Sequence, residues 1–371
     1  MIDRINALKR QLTVAPVMGH FHPLLPLCLP QGVVVTADAR RVALAMDSRD
    51  PVPEEPILII RPDLAYTDRF LSLSLTEAPP AEVINAGLAS NPKAARHLLT
   101  NHGIGDRIVS DTLNNGYRCV VLLLIDGLSF EDVRHWPEAP EPVFIDGPSI
   151  TFSNPTGGAV LPDVGFPAIT GSTPLGPRLQ QVGLTRSRGY TYWRPTQNDV
   201  SDLVFKGIHQ DRVSSITEAL DRLAGQNLEG LYIQIVRIGT DSLAHGQREV
   251  SDAEVAATVQ EVHKDLQALV NLLRESSVHG AVYLTSDHGI LWKNQHALQK
   301  LDGYSTTHPR YTMEGLGHDV STVRITRGNV DFHLFKYPYI GATIRANDGG
   351  VHGGLSYWES IVPLVRIEVK P

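Results

Sequence analysis

Two cysteines among 371 residues, Cys28 and Cys119, are too few and too far apart for a disulfide framework or a thiolate zinc site. Long hydrophobic runs are missing too: no apolar stretch approaches the roughly 18 to 20 residues that a membrane helix needs. The first twelve residues carry Asp3, Arg4, Lys9 and Arg10 and lack an apolar core, so they do not read as a secretory signal. These absences lead us to expect a reduced, cytoplasmic setting with no membrane partner. Positive charge is not in excess. A net charge of −7 provides no uniformly basic face, which leaves nucleic acid open as a partner through a local groove but unsupported by charge. No Gly-x-Ser-x-Gly elbow and no Gly-Lys-Ser/Thr phosphate loop is present, which argues against the commonest serine hydrolases and nucleoside triphosphatases.

What is present is close to the globular average, 42% hydrophobic and 20% charged, and long enough for one large α/β domain with an extension. Residues 1–115 hold proline-rich passages (Pro51 to Pro62, Pro79 and Pro80) and a helix-like piece at Lys93 to Thr100, without βα alternation. We read this part as an N-terminal region of unassigned role. Residues 116–371 read as the catalytic domain.

From Arg118 the pattern changes. Cys119 to Ile125 is a continuous apolar run, as in a parallel strand buried on both faces, and it ends at Asp126-Gly127. Leu231 to Ile238 repeats the pattern and ends at Gly239-Thr240-Asp241. Ser251 and Glu254 then form a capping box, and Val255, Val259, Val262, Leu266, Leu269, Val270 and Leu273 recur at helical spacing. Gly280 breaks that helix. Ala281 to Thr285 is a third strand, ending at Ser286-Asp287-His288-Gly289. Strand, helix and strand in this order make the strands parallel, so their carboxyl ends share the edge where open α/β sheets bind ligands.

Each of the three strands delivers an aspartate to that edge, and two of them bring a histidine close behind. Asp241 and His245 lie four residues apart, and Asp287 and His288 are adjacent. A mixed carboxylate and imidazole set suits zinc, with manganese or iron behind it, better than the all-oxygen shells of calcium and magnesium. With Asp126 and one further histidine there are more donors than one tetrahedral ion uses, so two divalent ions are the economical reading.

The blocks "LLLIDGLS", "GTDSLAHG", "YLTSDHGI" and "GGVHGGLS", in this order, resemble the metal-binding blocks of the alkaline phosphatase superfamily. The last block with its following "YWESIVPLV" is especially similar to the PglZ domain known from phage-defence systems. The resemblance spans roughly residues 118 to 368. It implies an alkaline-phosphatase-like three-layer α/β/α fold with a mostly parallel sheet. It further implies that Asp241, His245 and His352 hold one metal, while Asp126, Asp287 and His288 hold the other with a nucleophilic hydroxyl. Gly353 and Gly354 would then let the backbone approach the metals.

The nucleophile departs from the family pattern. "PSIT" resembles the family's proline and hydroxyl arrangement and points to Thr151, with Ser149, Thr156 and Thr170 open beside it. Arg310 in "THPRYTM" is a candidate phosphate contact. His20 and His22 have a chelating spacing but read as structural, and His308, His318 and His333 lack spaced carboxylate partners. A sulfatase is not expected, because Cys28-Leu-Pro-Gln-Gly32 has the required proline but not the arginine. The expected function is metal-dependent hydrolysis of a phosphate ester, mono or di. A PglZ-like non-catalytic scaffold with protein partners, or a phosphotransferase or mutase, stands as the alternative.

Overall fold

A computed structural model of the chain describes residues 13–16, 22–28, 34–36, 57–60, 78–151, 161, 163–171, 173–192, 204–304, 306, 308–313 and 320–371. They fall into two compact units, Met1–Leu98 and Leu99–Pro371. The first contains a three-stranded antiparallel sheet with Ile57–Ile60 between Thr13–Pro16 and Val34–Thr36, the helices Leu25–Cys28 and Ala81–Ser90, and a 3-10 turn at Pro92–His97.

The helix-like piece expected at Lys93 to Thr100 is a 3-10 helix over Pro92–His97, shorter than expected at its end. Its end is drawn into the sheet of the second unit instead, where Leu99 and Thr100 pair with Val143 and Phe144. Ladder hydrogen bonds satisfy both strands, and they outweigh a weak local helical preference. The next helix, α1 (Asn101–Asn115), buries Ile104 and Ile108 in the core of the second unit. The two compact units divide at 98/99, and composition alone sets a boundary at 115/116.

The second unit is built on eight strands: β1 (Leu99–Thr100), β2 (Cys119–Asp126), β3 (Glu141–Phe144), β4 (Arg186–Thr191), β5 (Gln210–Arg212), β6 (Leu231–Ile238), β7 (Gly280–Ser286) and β8 (Ile361–Val369). Their order across the sheet is β1-β3-β8-β7-β2-β6-β4-β5. Every neighbouring pair is parallel except the two that involve β8. The strands β6, β2 and β7 lie side by side in register, so the three runs read from the sequence form the middle of the sheet. All eight residues of β2 and all seven of β7 are buried.

Alternation along β2 separates two cores. Cys119, Val121, Leu123 and Ile125 face a layer holding α5 (Ile216–Leu223) and α7 (Asp252–Glu275). Val120, Leu122 and Leu124 face α1, α3 (Phe166–Thr170) and α4 (Leu175–Gln181). The fold is thus a three-layer α/β/α sandwich with a mostly parallel sheet, as expected. In α7 the seven apolar residues marked by their spacing are the buried ones, and Ser251 and Glu254 cap it reciprocally at 3.3 and 2.8 Å.

Two glycines let the strand ends meet. Gly127, at φ +80°, accepts at its carbonyl from Thr240 N at 2.9 Å, while Gly239 N donates to Asp126 O at 3.0 Å. A Cβ on Gly239 would stand 2.5 Å from Gly127 O and 2.6 Å from Asp126 O, both backbone atoms that cannot move aside. Gly239→Ala is expected to cost about 1–3 kcal/mol of stability by overpacking. It should also separate the Asp126 and Asp241 turns, so that metal content falls along with the urea midpoint.

Candidate metal centre

Every residue of the cluster is placed by a strand end or a short turn at the carboxyl edge. Asp126 closes β2. Asp241 opens the short helix α6 (Asp241–Gly246), which also carries His245. Asp287 and His288 follow β7, held by Ser286 Oγ, which donates to Ile125 O at 2.8 Å and to His288 O at 2.7 Å. His352 enters after Gly350–Val351, a strand that pairs antiparallel with Leu291–Trp292 just beyond the third block. Thr151 arrives on the loop that leaves β3 and is packed against Gly165, whose missing Cβ leaves room for Thr151 O.

Asp241 Oδ1, His245 Nε2 and His352 Nε2 lie 3.1 to 3.4 Å from one another. A tetrahedral ion with bonds of about 2.0–2.1 Å has ligand edges of about 3.3 Å. The second group is close beside it. His288 Nε2 is 3.5 Å from Asp126 Oδ1 and 3.9 Å from Asp287 Oδ2. The Thr151 hydroxyl is 3.0 Å from Asp126 Oδ1 and 3.2 Å from His288 Nε2. His288 belongs to both groups, because its Nε2 is also 3.9 Å from Asp241 Oδ1 and its ring stacks on that of His352 at 3.9 Å.

Two observations show that this set fits cations. Asp241 Oδ1 and Asp287 Oδ2 are buried and accept no hydrogen bond, a cost of about 1–3 kcal/mol or more each that a bound ion removes. The imidazoles are also turned to present lone pairs. His288 Nδ1 lies 3.2 Å from Gly289 O, and His352 Nδ1 lies 3.0 Å from Ser149 O. A carbonyl can only accept, so each Nδ1 carries a proton, and in the neutral ring it is Nε2 that presents its lone pair to a metal.

The electrostatics of these groups follow from burial and crowding. Burial, and then the Asp126 carboxylate, pushes Asp241 up to about 6, and burial pushes Asp287 up to about 7. At His288 burial is the largest influence and opposes charge, but the carboxylates of Asp287, Asp241 and Asp126 together outweigh it and raise the imidazolium to about 10. Burial and the neighbouring imidazoles hold His352 well below the ordinary histidine range.

The four candidate hydroxyls separate. Thr151 alone, among the described ones, meets the cluster. Ser149 is fully buried, with its Oγ donating to Gly354 O and accepting from Gly353 N, both at 3.0 Å, so it pins the His352 segment. Thr170 donates back into its own helix, to Phe166 O and Pro167 O. Thr156 lies outside the described residues, as do His20 and His318. His22 Nδ1 accepts from Leu24 N at 3.2 Å in a turn of the first unit.

The expectation for Arg310 is overturned. Its side chain is fully buried, its fork is bidentate to Glu359 at 2.8 and 2.7 Å, and its remaining donors reach Phe335 O and Tyr339 O. Buried and held on four of its five N–H groups, the guanidinium is a structural tie and not an open phosphate contact. Gly353 and Gly354 also serve the packing of the neighbouring segment. A Cβ on Gly354 would strike the Arg310 guanidinium at 2.6 Å, and one on Gly353, at φ +110°, would strike Tyr311 and His308. These glycines make room for side chains of the neighbouring segment.

Two residues near the cluster escaped the sequence reading. Asp348 Oδ1 stands 3.5 Å from His245 Nδ1, opposite the Nε2 that faces the cluster. It sits four residues before His352, and that proximity was the available signal. His308, whose ring lies 6.2 Å from that of His352, had none.

No family model matches the sequence, and no curated protein matches it. Among solved structures the chain is similar to murine ectonucleotide pyrophosphatase/phosphodiesterase 5, at 13% identity over 68% of this chain and 88% of that one, with a TM-score of 0.44. It is similar also to the C-terminal periplasmic domain of phosphoethanolamine transferase EptC from Campylobacter jejuni (11%, 68% and 80%, TM-score 0.34). A third similarity is to a mutant of TAB5 alkaline phosphatase with magnesium bound (8%, 68% and 91%, TM-score 0.31).

Proposed function

We propose that the chain is a metal-dependent phosphoryl-ester hydrolase of the alkaline phosphatase type, with a PglZ-like last block, two divalent ions (zinc first, manganese second) and Thr151 as nucleophile. The observation that carries this reading is the Thr151 hydroxyl, set between Asp126 Oδ1 and His288 Nε2 beside two buried carboxylate oxygens that lack a partner. Asp241, His245 and His352 would hold one ion; Asp126, Asp287 and His288 would hold the other. Bound there, divalent ions would lower the pKa of the hydroxyl and neutralise charge on the transferring oxygens.

The protein's own groups do the rest. Thr151 Oγ1 donates toward Asp126 Oδ1, which orients its lone pairs outward and draws the proton away as the oxygen attacks phosphorus. The bond to the leaving alkoxide breaks as the bond to Thr151 forms, leaving a phosphothreonine. Water then displaces Thr151 and restores its proton. Burial of Asp126, Asp287 and His288 excludes bulk water from one side, so the fixed charges act at low dielectric.

Purified, unstripped protein should contain zinc or manganese and cleave nitrophenyl phosphate mono- or diesters. A strong chelator should abolish turnover, and added metal should restore it; metal-free protein with undiminished turnover defeats the proposal. Transfer to an added alcohol in competition with water identifies a phosphotransferase instead.

The pH dependence of the metal effect has a definite sign. Asp241 and Asp287 are raised above the usual 3.8, so the metal-free fold retains protons that the unfolded chain has released, and its stability falls as pH climbs from about 4 through 7. His288, raised above 6.5, extends that loss from about 6.5 toward 10. Metal binds the deprotonated carboxylates and neutral imidazoles, displacing these protons. The rise in unfolding temperature on adding zinc should therefore be larger at pH 8 than at pH 5.5. Equal or reversed shifts would refute the ligand assignment.

A further inference from the structure

We infer that His308 is a substrate-contacting residue, donating a hydrogen bond from Nε2–H to an oxygen of the phosphate ester on the Asp241, His245 and His352 side of the centre. This rests on the function proposed above. No carboxylate is spaced near His308 in the chain, and only the fold brings its ring to 6.2 Å from that of His352.

The tautomer is what decides the role. The backbone N–H of Arg310 donates to His308 Nδ1 at 3.3 Å. An N–H can only donate, so Nδ1 holds the lone pair and the ring proton sits on Nε2. His288 and His352 are arranged the opposite way, with Nδ1 facing a carbonyl and Nε2 free to ligate. The same three rings of one cluster are therefore divided by their backbone partners into two acceptors and one donor. Ligation by His308 Nε2 would require the proton to move to Nδ1, directly against the Arg310 N–H.

Its orientation is also built in. Thr306 Oγ1 donates to His308 O and accepts from His308 N, and the ring lies against Tyr311 at 4.1 Å. On the other side only the bare Cα of Gly353 fits, since a Cβ there would come within 3.0 Å of His308 Cε1. Arg310, which sets the tautomer through its backbone, is anchored through its side chain to Glu359, and Glu359 Oε1 also accepts from Gly354 N at 3.0 Å. One buried ion pair thus holds both the donor ring and the segment carrying His352. Among the described residues none hydrogen-bonds His308 Nε2, and the residue is not fully buried, so that donor is available to a ligand.

A preorganised neutral donor of this kind is worth about 10²-fold in turnover. In metal-loaded full-length protein, His308→Ala should lower kcat/KM on a nitrophenyl ester by about that factor. It should weaken inhibition by orthovanadate to a similar degree and leave metal content unchanged. His308→Gln places an amide N–H near the former Nε2 and should recover at least about tenfold of the loss. The inference is overturned if His308→Ala stays within about twofold of wild type, if metal content drops with it (a ligand), or if Gln recovers nothing (a packing role). An inactive wild-type protein overturns the hydrolase reading instead, and so the two failures are distinguishable.

Discussion

On the proposed function, Thr151→Ala is expected to remove turnover on phosphate esters by a factor on the order of 10⁴ or more while leaving metal content unchanged. The hydroxyl is the only described side-chain oxygen that bridges Asp126 and His288 without belonging to a carboxylate. Ser149 cannot substitute, since both hydrogen bonds of its hydroxyl are committed to the Gly353–Gly354 backbone. Thr170 is equally committed to its helix. Thr151→Ser keeps the oxygen but loses the β-branch that restricts χ1, so it should retain turnover at a reduced rate. The stability cost of Thr151→Ala should be small, about 1 kcal/mol for the lost hydrogen bond to Asp126. Steady-state kinetics paired with metal analysis and urea unfolding separates loss of chemistry from loss of the site. A Thr151→Ala protein that keeps more than about a hundredth of wild-type activity would place the nucleophile elsewhere.

Arg310→Met is expected to be the most destabilising single change in the second unit, at about 3–5 kcal/mol. Both partners of the Arg310–Glu359 pair are fully buried, and the substitution strands the Glu359 carboxylate without its fork. Three other interactions depend on it: Gly354 N and Ser356 Oγ donate to the same carboxylate, and Arg310 itself holds Phe335 O. The damage should therefore extend to the His352 segment and lower metal affinity as well as the urea midpoint. The double change Arg310→Met/Glu359→Gln removes the stranded charge and should recover part of the loss. A double-mutant cycle measures that coupling, and a coupling below about 0.5 kcal/mol contradicts the account.

The difference between these two residues shows how far local sequence reaches. Thr151 stood out through its neighbours Pro148 and Ser149, and the structure brings it to the predicted cluster. Arg310 stood out through its place between two motif blocks, and the structure buries it. Nothing local separates an arginine that faces a phosphate from one that ties a returning strand to the core. Glu359, its partner, lies 49 residues away in a block that was read for its similarity and not for its charge. His308 shows the same limit in reverse: its role depends on a backbone N–H two residues on and on a ring 44 residues away in the chain, and neither leaves a periodic trace.

The three central strands themselves, the capped helix between the second and third, and the aspartates at their ends were legible because each depends on near neighbours, whereas the placing of β2 between β6 and β7 was not. A run of apolar residues buried on both faces, a capping box and a strand-ending Asp-Gly are short-range patterns with fixed periods. The antiparallel β8, the position of α1 in the core, the sharing of His288 between two ligand groups and the tautomers of three histidines were decided only by the tertiary structure. They depend on which carbonyl, carboxylate or N–H a distant segment happens to bring within about 3 Å, and that distance is set by packing. Sequence alone thus determined which residues could reach the carboxyl edge of the sheet. Tertiary structure decided which of them meet there, and on which nitrogen each imidazole carries its proton.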